Sequence, residues 1–198
     1  MAWVIVGLGN PGGEYENTRH NAGRLAVMHF AKKNELREWK EDKKNKLTAA
    51  KGAIGKEIFV LLLPDTYMNK SGSAVLRFVK SVKAAEKMLV IYDDLDLPLG
   101  KIKISYDRGS GGHKGLDSII RAVKTRKFAR IRIGVSPETA SGKLKKPQGE
   151  KDVNDFILAK FKPNELEELK KVFKRTSEAV AAVLERGAVV AMNEFNKD

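Results

Sequence analysis

The chain has 198 residues, 42% of them hydrophobic, which suits one globular domain with a substantial core over residues 1–198. It has no cysteine, which excludes disulfide and thiolate chemistry, and no stretch approaches the roughly 20 apolar residues that span a membrane. The net charge of +13 favours a polyanionic partner such as nucleic acid over a merely well-solvated surface. The first predicted strand starts close to Met1, so we expect no signal peptide and a cytoplasmic protein.

A short apolar run opens the chain. Val4-Ile5-Val6 predicts a buried strand, and Gly9-Asn10-Pro11-Gly12-Gly13 predicts the turn that ends it. Several polar side chains follow within a dozen residues, namely Asn10, Tyr15, Arg19, His20 and Asn21. α/β proteins present their chemistry at the carboxyl ends of such strands. We interpret this stretch as the active-site loop and His20 as its titrating group.

Strands and helices alternate along the rest of the chain. Strands are predicted over 57–63, 88–92, 102–105 and 130–135, and edge strands or a loop over 39–51. Helices are predicted over 22–36, 71–80, through Leu116 to Val123, and over 163–186, with a mobile surface loop at 137–151. The pattern predicts a three-layer α/β domain whose central sheet is mixed, mostly parallel and flanked by helices.

Two predicted helices have specific expected features. In the first, Asn21 is the expected N-cap, and Met28 belongs to an apolar face with Leu25, Val27, Phe30 and Ala31. His29 lies in the same helix and is expected to be structural. In the helix over 71–80, we expect Val75, Leu76 and Val79 to be buried.

The opening turn also matches a nucleotide-binding pattern. Residues 7–12 read G-x-G-x-x-G, so dinucleotide binding is an alternative. Gly13-Glu14-Tyr15 follows instead of an apolar helix, Pro11 removes a backbone donor, and no acidic residue closes a second strand about 20 residues on. These features argue against a dinucleotide.

Polar groups also follow the second and third predicted strands. Tyr67 and Asn69 follow the strand over 57–63, and Asp93 follows the strand over 88–92. A carboxylate that holds one imidazole nitrogen leaves the other nitrogen as a base, so His20 held by a strand-end carboxylate such as Asp93 would activate a water. The chain has neither a Gly-x-Ser-x-Gly elbow nor a cysteine nucleophile. The histidines lack metal-ligand spacing, so we expect no metal and no cofactor. Asp94 and Asp96 are read as ordinary turn residues.

A glycine-rich loop and a basic stretch come next. Residues 108–115 can bring backbone amides close to a phosphate, and Arg108 and Lys114 add positive charge. A basic stretch that could follow a phosphodiester backbone comprises Arg121, Lys124, Arg126, Lys127, Arg130 and Arg132.

Four ordered motifs resemble the bacterial-type peptidyl-tRNA hydrolase family. They are Val6-Gly7-Leu8-Gly9-Asn10-Pro11-Gly12 with Tyr15 and Thr18-Arg19-His20-Asn21-Ala22-Gly23; Pro64 with Thr66-Tyr67-Met68-Asn69 and Ser71-Gly72; Tyr92-Asp93-Asp94-Leu95-Asp96-Leu97-Pro98; and Gly109-Ser110-Gly111-Gly112-His113 with Gly115-Leu116. The tail, with Phe156-Ile157-Leu158 and Ala191-Met192-Asn193, is also similar. The resemblance covers nearly the whole chain.

The resemblance implies cleavage of the ester that joins a peptide to the 3′ ribose of tRNA. By motif position, His20 would be the base that activates water, Asp93 would hold it, and Asn10 would contact the peptide and help reject free aminoacyl-tRNA. The remaining matched residues would bind substrate or line the cleft, namely Tyr15, Asn21, Tyr67, Asn69, His113 and Lys114. The implied partner is peptidyl-tRNA, bound by a monomer.

Lys114 departs from the family pattern, which usually has asparagine at that position. Lysine keeps hydrogen-bond donors and lacks the amide oxygen, which leaves a tRNA contact there and changes its geometry. A non-catalytic RNA-binding relative on the same fold is the second alternative. The retained Asn10, His20, Asn69 and Asp93 argue against it.

Overall fold

The computed structural model describes residues 1–197. Its strands are β1 (Trp3–Gly7), β2 (Lys40–Asp42), β3 (Leu47–Ile54), β4 (Glu57–Pro64), β5 (Met88–Pro98), β6 (Ile102–Tyr106) and β7 (Ala129–Ser136). Its α-helices are α1 (Ala22–Lys33), α2 (Ser71–Val75), α3 (Val82–Ala85), α4 (Lys114–Val123), α5 (Glu150–Leu158), α6 (Pro163–Arg186) and α7 (Ala188–Phe195). One-turn 3-10 helices lie at Gly13–Tyr15, Arg19–Asn21 and Met68–Lys70.

The seven strands form one mixed sheet in the order β2-β3-β4-β1-β5-β7-β6. The four central strands β4, β1, β5 and β7 are parallel to one another. The pairings that involve β2, β3 and β6 are antiparallel. The carboxyl ends of the central strands therefore lie along one edge, and the predicted fold class is confirmed.

The central strands supply two hydrophobic cores, one on each face of the sheet. In β1, Ile5 packs into the core that α1 and α6 cover, while Val4 and Val6 pack into the core that α2 and α4 cover. Successive side chains of a strand point to opposite faces, so a strand covered on both faces is apolar throughout. This explains the unbroken apolar runs in the sequence. The helix predicted over 163–186 is α6, and Gly187 ends it.

Two predicted helices are shorter than expected. α1 ends at Lys33 rather than at Leu36, and α2 ends at Val75 rather than near Lys80. After α2 the backbone tightens, because Phe78 N–H donates to Val75 O at 3.0 Å. The predictions for Met28 and Leu76 were wrong, since these side chains are 49% and 42% exposed. Only one side of each helical segment packs against the sheet. Met28 follows the buried Val27 and Leu76 follows the buried Val75, so the next side chain along the chain points toward solvent.

β5 is longer than predicted and contains Asp93 rather than ending before it. Asp93 pairs with Ile133 of β7 and Asp94 with Gly134, before the register shifts ahead of Pro98. A Cβ at Gly134 would lie 1.9 Å from Pro98 O, so glycine permits this irregular continuation. The predicted surface loop ends where α5 begins, at Glu150. Its mobility stays a prediction.

The start of α1 lies against β5 at Gly23, close to the point where the strand reaches Asp93. A Cβ on Gly23 would be 2.1 Å from the carbonyl oxygen of Ile91, so only glycine allows this approach. The 3-10 turn Arg19–Asn21 leads directly into α1. The close packing therefore brings His20 to the edge of the sheet beside Asp93.

Candidate active site

His20 and Asp93 are joined by a buried hydrogen bond. His20 Nδ1 lies 3.0 Å from Asp93 Oδ1 and 3.0 Å from Oδ2. An ionised carboxylate only accepts hydrogen bonds, so Nδ1 carries the proton and donates it. His20 Nε2 then presents a lone pair, and it has no hydrogen-bond partner among residues 1–197. The arrangement leaves His20 able to act as a general base.

A second imidazole shares the same carboxylate. His113 Nε2 lies 3.0 Å from Asp93 Oδ1, and Leu116 N–H donates to His113 Nδ1 at 3.2 Å. Because Nδ1 accepts, Nε2 must carry the proton that is donated to Asp93. The ring thus caps the start of α4 and braces Asp93 at once. The resemblance assigned His113 only to the cleft lining, and this pairing was not anticipated.

Asp93 is a buried charge that two rings compensate. Burial by itself would raise the pKa of the Asp93 carboxyl. The electrostatic attraction to the N–H groups of His20 and His113, with the hydrogen bonds from both rings, outweighs burial and holds the pKa of the Asp93 carboxyl well below its usual range. Asp93 is therefore ionised at neutral pH. A permanent carboxylate is what keeps the proton of His20 on Nδ1.

The same three residues form a potential set of metal ligands, which sequence spacing did not indicate. One donor atom from each of His20, Asp93 and His113 lies within 4.8 Å of the others. Both ring nitrogens point at the carboxylate at hydrogen-bond distance, 3.0 Å. An ion would sit about 2.0–2.2 Å from each donor, so it would have to replace both protons and move the groups apart. We interpret the cluster as a hydrogen-bonded base.

His20 opens into a cleft of about 300 Å³. One wall comes from the end of β5 and the loop before α4, and the other from α5. Besides His20, the lining residues are Tyr92, Asp93, Asp94, Leu95, Asp96, Ser110, Gly111, Gly112, His113, Lys114, Lys146, Val153, Asn154 and Ile157. Two ion pairs lie on the rim, one between Lys146 and Asp96 and one between Lys114 and Glu150, at 3.2 Å.

Asn10 joins the loops that follow β1 and β4. Its Oδ1 accepts a hydrogen bond from Met68 N–H at 2.8 Å, which fixes the orientation of the amide. Its Nδ2 has no partner within residues 1–197 and presents two N–H groups. Asn10 lines a neighbouring groove of about 600 Å³ rather than the His20 cleft itself.

Asn21 fixes the main chain of Asn10 from both sides. Its Oδ1 accepts from Asn10 N–H at 2.8 Å, and its Nδ2 donates to Asn10 O at 3.0 Å. Asn21 is the N-cap residue of α1, as predicted, but its side chain makes no capping hydrogen bond, because these two bonds occupy the amide. Since Asn21 follows His20 directly, it links the base to the Asn10 loop. Its predicted contact with substrate stays a prediction.

Three other predicted substrate contacts lie outside the His20 cleft. Tyr67 is 62% exposed and Asn69 is exposed, and they flank Met68 after β4. Tyr15 is half-buried in the turn Gly13–Tyr15. Their side chains form no hydrogen bond within the described part of the chain, so they are available to a ligand. Their roles stay predictions.

The basic stretch does not form one surface. Arg121, Lys124, Arg126 and Lys127 are exposed, whereas Arg130 and Arg132 are buried. Arg130 Nη1 donates to Gly109 O at 2.9 Å, and Arg132 Nε donates to Asp94 Oδ2 at 2.6 Å. β7 is covered on both faces, so alternation of arginine and isoleucine does not bring the arginines to solvent. A phosphate contact for Arg130 and Arg132 was therefore a wrong prediction.

Other sequence-based interpretations can be placed as well. Asp94 Oδ1 accepts from Asp96 N–H at 2.7 Å, a local bond of the kind that turn aspartates make, but both residues lie in β5 rather than in a turn. His29 is half-buried, with its ring 6.0 Å from that of Phe173, outside the cleft lining. The glycine turn leads into the 3-10 turn Gly13–Tyr15, and no α-helix starts before Ala22. A pyrophosphate would thus find no helix N-terminus there, which disfavours the dinucleotide alternative.

The fold and this site define an α/β protein with a carboxylate-held histidine at the carboxyl edge of its sheet, an arrangement suited to hydrolysis by activated water. The family model described as Peptidyl-tRNA hydrolase matches residues 4–198. The chain belongs to the peptidyl-tRNA hydrolase family.

Relatives named peptidyl-tRNA hydrolase match this chain over nearly their full lengths. The chain is 41% identical over 194 residues to a peptidyl-tRNA hydrolase of Syntrophotalea carbinolica, covering 98% of this chain and 96% of the relative. It is 40% identical over 197 residues to that of Chloroflexus aggregans, covering 98% of both. A crystal structure of the Acinetobacter baumannii peptidyl-tRNA hydrolase superposes with a TM-score of 0.85 at 35% identity, covering 99% of this chain and 95% of that one. Within residues 1–197, no helix has the length and apolarity to cross a bilayer.

Proposed function

We propose that this chain hydrolyses the ester between a peptide, or an N-blocked amino acid, and the 3′ ribose of tRNA. The observation that carries the proposal is the pair of 3.0 Å contacts from His20 Nδ1 to both oxygens of Asp93, at the wall of an open cleft. An ester is activated enough to react with water and one base, without a covalent intermediate.

The chemistry follows from the proton positions. His20 Nε2 takes a proton from water as the water oxygen attacks the ester carbonyl carbon. The ester C–O bond then breaks, and the 3′ oxygen of the ribose leaves with the proton that His20 returns. Asp93 stays ionised throughout and stabilises the imidazolium that forms in between. The products are a free peptide carboxyl group and a tRNA with a free 3′ hydroxyl.

Asn10 supplies the proposed discrimination against free aminoacyl-tRNA. Its Oδ1 is engaged by Met68 N–H, and its Nδ2, which has no partner within residues 1–197, offers two N–H donors to a ligand. A peptide carbonyl oxygen accepts a hydrogen bond from such a donor. A protonated free amine has only donor hydrogens, so it cannot pair with the N–H groups of Asn10. Tyr15, Tyr67, Asn69 and Asn21, on the loops next to Asn10, are proposed to bind the junction of peptide and tRNA.

The tRNA body is proposed to contact the side of the molecule formed by α2 and α4. These helices pack together, with Gly72 N–H donating to Ser118 Oγ at 3.0 Å. Among residues 1–197, three exposed cations of this region form no ion pair, namely Arg121, Lys124 and Lys127. Free cations neutralise backbone phosphates and release counterions, so binding should weaken with salt. The proposal implies a monomer that recycles tRNA in the cytoplasm from peptides dropped in translation.

The test is a hydrolysis assay on matched substrates. N-acetylaminoacyl-tRNA should be cleaved with multiple turnovers in the presence of a chelator, and the unblocked aminoacyl-tRNA should be spared. Cleavage in ¹⁸O-water should place the label in the released carboxyl group. Binding of both tRNAs without cleavage of either would overturn the proposal and favour a non-catalytic RNA-binding protein.

A further inference from the structure

Arg19 precedes His20 in the one-turn helix Arg19–Asn21, and its side chain is only 6% exposed. Its Nη1 donates to the carbonyl oxygens of Ala159 at 3.2 Å and Lys160 at 3.1 Å. Its Nη2 donates to Glu165 Oε1 at 2.9 Å and Oε2 at 2.8 Å. The guanidinium therefore connects the turn that carries His20 to the start of α6.

The surroundings of Arg19 hold the guanidinium in one place. Its carbon lies 4.5 Å from the ring centre of Phe156 and 5.3 Å from that of Phe161. The main chain runs alongside, since Arg19 N–H donates to Ala159 O at 3.2 Å and Phe161 N–H donates to Asn17 O at 2.8 Å. A planar guanidinium suits stacking and several carbonyl contacts together, which a lysine ammonium does not reproduce.

Glu165, the ionic partner of Arg19, is itself fixed. Its Oε2 also accepts from Lys162 N–H at 2.7 Å, at the first turn of α6. Because the Glu165 carboxylate is held at the start of α6, it holds the Arg19 guanidinium in a fixed position as well. Arg19 is thus held both by Glu165 of the 24-residue helix α6 and by two carbonyls of the connection that precedes this helix.

The residues that Arg19 binds, Ala159 and Lys160, continue from α5, the helix that forms the wall of the cleft opposite β5. Ala159 and Lys160 follow α5 directly, and Val153, Asn154 and Ile157 of α5 line the same cleft as His20. Arg19 therefore sets the separation between the candidate base and the opposite wall.

We propose that Arg19 is a positioning residue for His20. This inference rests on the proposed hydrolase function. Arg19 holds the turn so that His20 Nδ1 meets both oxygens of Asp93 and His20 Nε2 faces the space between β5 and α5. A base displaced by about 1 Å costs on the order of 100-fold in rate, so a structural anchor next to the base has a kinetic consequence.

The experiment compares Arg19→Met and Arg19→Lys with Arg186→Met. Arg186 pairs with Glu194 at 2.7 Å at the opposite end of α6, so its loss perturbs the helix far from the cleft. We expect the single-turnover cleavage rate to fall about 100-fold for Arg19→Met, with partial rescue by Arg19→Lys. The tRNA dissociation constant should change less than about twofold, and the Arg186→Met variant should match the parent.

A second readout follows the geometry of His20 directly. The Nδ1 proton of His20, observed by ¹⁵N-resolved NMR in the free protein, should shift or broaden in the Arg19 variants. The proposal would be overturned if the His20 signal were unchanged and the loss of cleavage rate in the Arg19 variants were no larger than their fraction of unfolded protein. A loss confined to tRNA affinity would also overturn it. If Arg19→Met does not fold, Glu165→Gln, which keeps one oxygen for Lys162 N–H, should give an intermediate rate loss and an intermediate shift of the signal.

Failure of the proposed function would look different. A parent chain that cleaves no ester would defeat the hydrolase proposal, while the response of the His20 proton would still test the link from Arg19 to His20. Cleavage by the parent with an unresponsive His20 proton and a normal rate in the Arg19 variants would defeat only the positioning role.

Discussion

The Oδ1 atom of Asn10 accepts a hydrogen bond from the N–H of Met68 at 2.8 Å, across 58 positions of the chain. This bond orients an amide at the junction of the loops after β1 and β4. The bond leaves the Nδ2 group, which has no partner within residues 1–197, able to donate to a ligand. A neutral donor in the groove next to the His20 cleft is the proposed origin of selectivity for blocked substrates.

Substituting Asn10→Asp should weaken that selectivity. The carboxylate can still accept from Met68 N–H, so the two loops should remain joined, while the two N–H donors are replaced by negative charge. We expect kcat/KM for N-acetylaminoacyl-tRNA to fall about tenfold, the loss of roughly one hydrogen bond. Cleavage of free aminoacyl-tRNA should rise relative to it. A parallel fall for both substrates would contradict the role given to Asn10.

Asp93→Asn should disable the base while preserving shape. Two ring N–H groups meet the carboxylate, and a carboxamide offers one oxygen and one NH₂ group in its place. One imidazole then lacks an acceptor, and the His20 tautomer is no longer held. We expect the single-turnover rate to fall on the order of 10³-fold or more. The exposed Asp155→Asn variant is the matched control. A rate within about tenfold of the parent would remove Asp93 from the mechanism.

The lowered pKa of Asp93 predicts acid instability of a definite sign. A carboxyl whose folded pKa lies below its unfolded value stabilises the native state above the unfolded pKa, about 3.9. That contribution is lost as pH falls below this value. In urea unfolding measured from pH 6 to pH 3, the free energy of unfolding of the parent should exceed that of Asp93→Asn, and this difference should disappear below about pH 4. His20 and His113 face Asp93, so their protonation belongs in the fit. A gap that widens on acidification would contradict the assignment.

Glu150→Gln should increase the apparent affinity for tRNA. Lys114 and Glu150 form an exposed ion pair, with side chains 55% and 81% accessible, so it contributes little to stability. Removing the acid frees the Lys114 ammonium for a phosphate. We expect KM to fall about two- to fivefold at low salt and the difference to vanish at high salt. Glu167→Gln, which frees Lys170 on α6, is the control and should leave KM unchanged. Equal effects of both variants would point to net charge alone.

Much of the fold follows from periodicity alone. β1, β4 and β7 are apolar runs or alternations bounded by turns, and α6 has a long amphipathic pattern with Pro163 at its start. Periodicity is weaker at boundaries. It extended α2 past Val75 because Leu76 and Val79 continue the spacing, although the backbone tightens there.

The site was predictable in part. The His20 and Asp93 pair followed from the convergence of parallel strand ends, which needs only strand order. The bracing of Asp93 by His113 depends on a loop conformation and a helix cap, which are tertiary features. Arg19 lies within the first motif, and the sequence predicts no role for it. Glu165 is the ionic partner of Arg19 and occupies the third position of α6. An acid at that position commonly caps a helix, so the sequence could have pointed to Glu165 as a fixed carboxylate.

His20 carries the central claim, and a paired measurement on His20→Ala tests it. Cleavage of N-acetylaminoacyl-tRNA is followed in single turnover, and tRNA binding is measured with the same preparation. The account predicts that cleavage falls on the order of 10³-fold or more while binding stays within about twofold of the parent. Cleavage near the parental rate would contradict the assignment of His20 as the base that activates water.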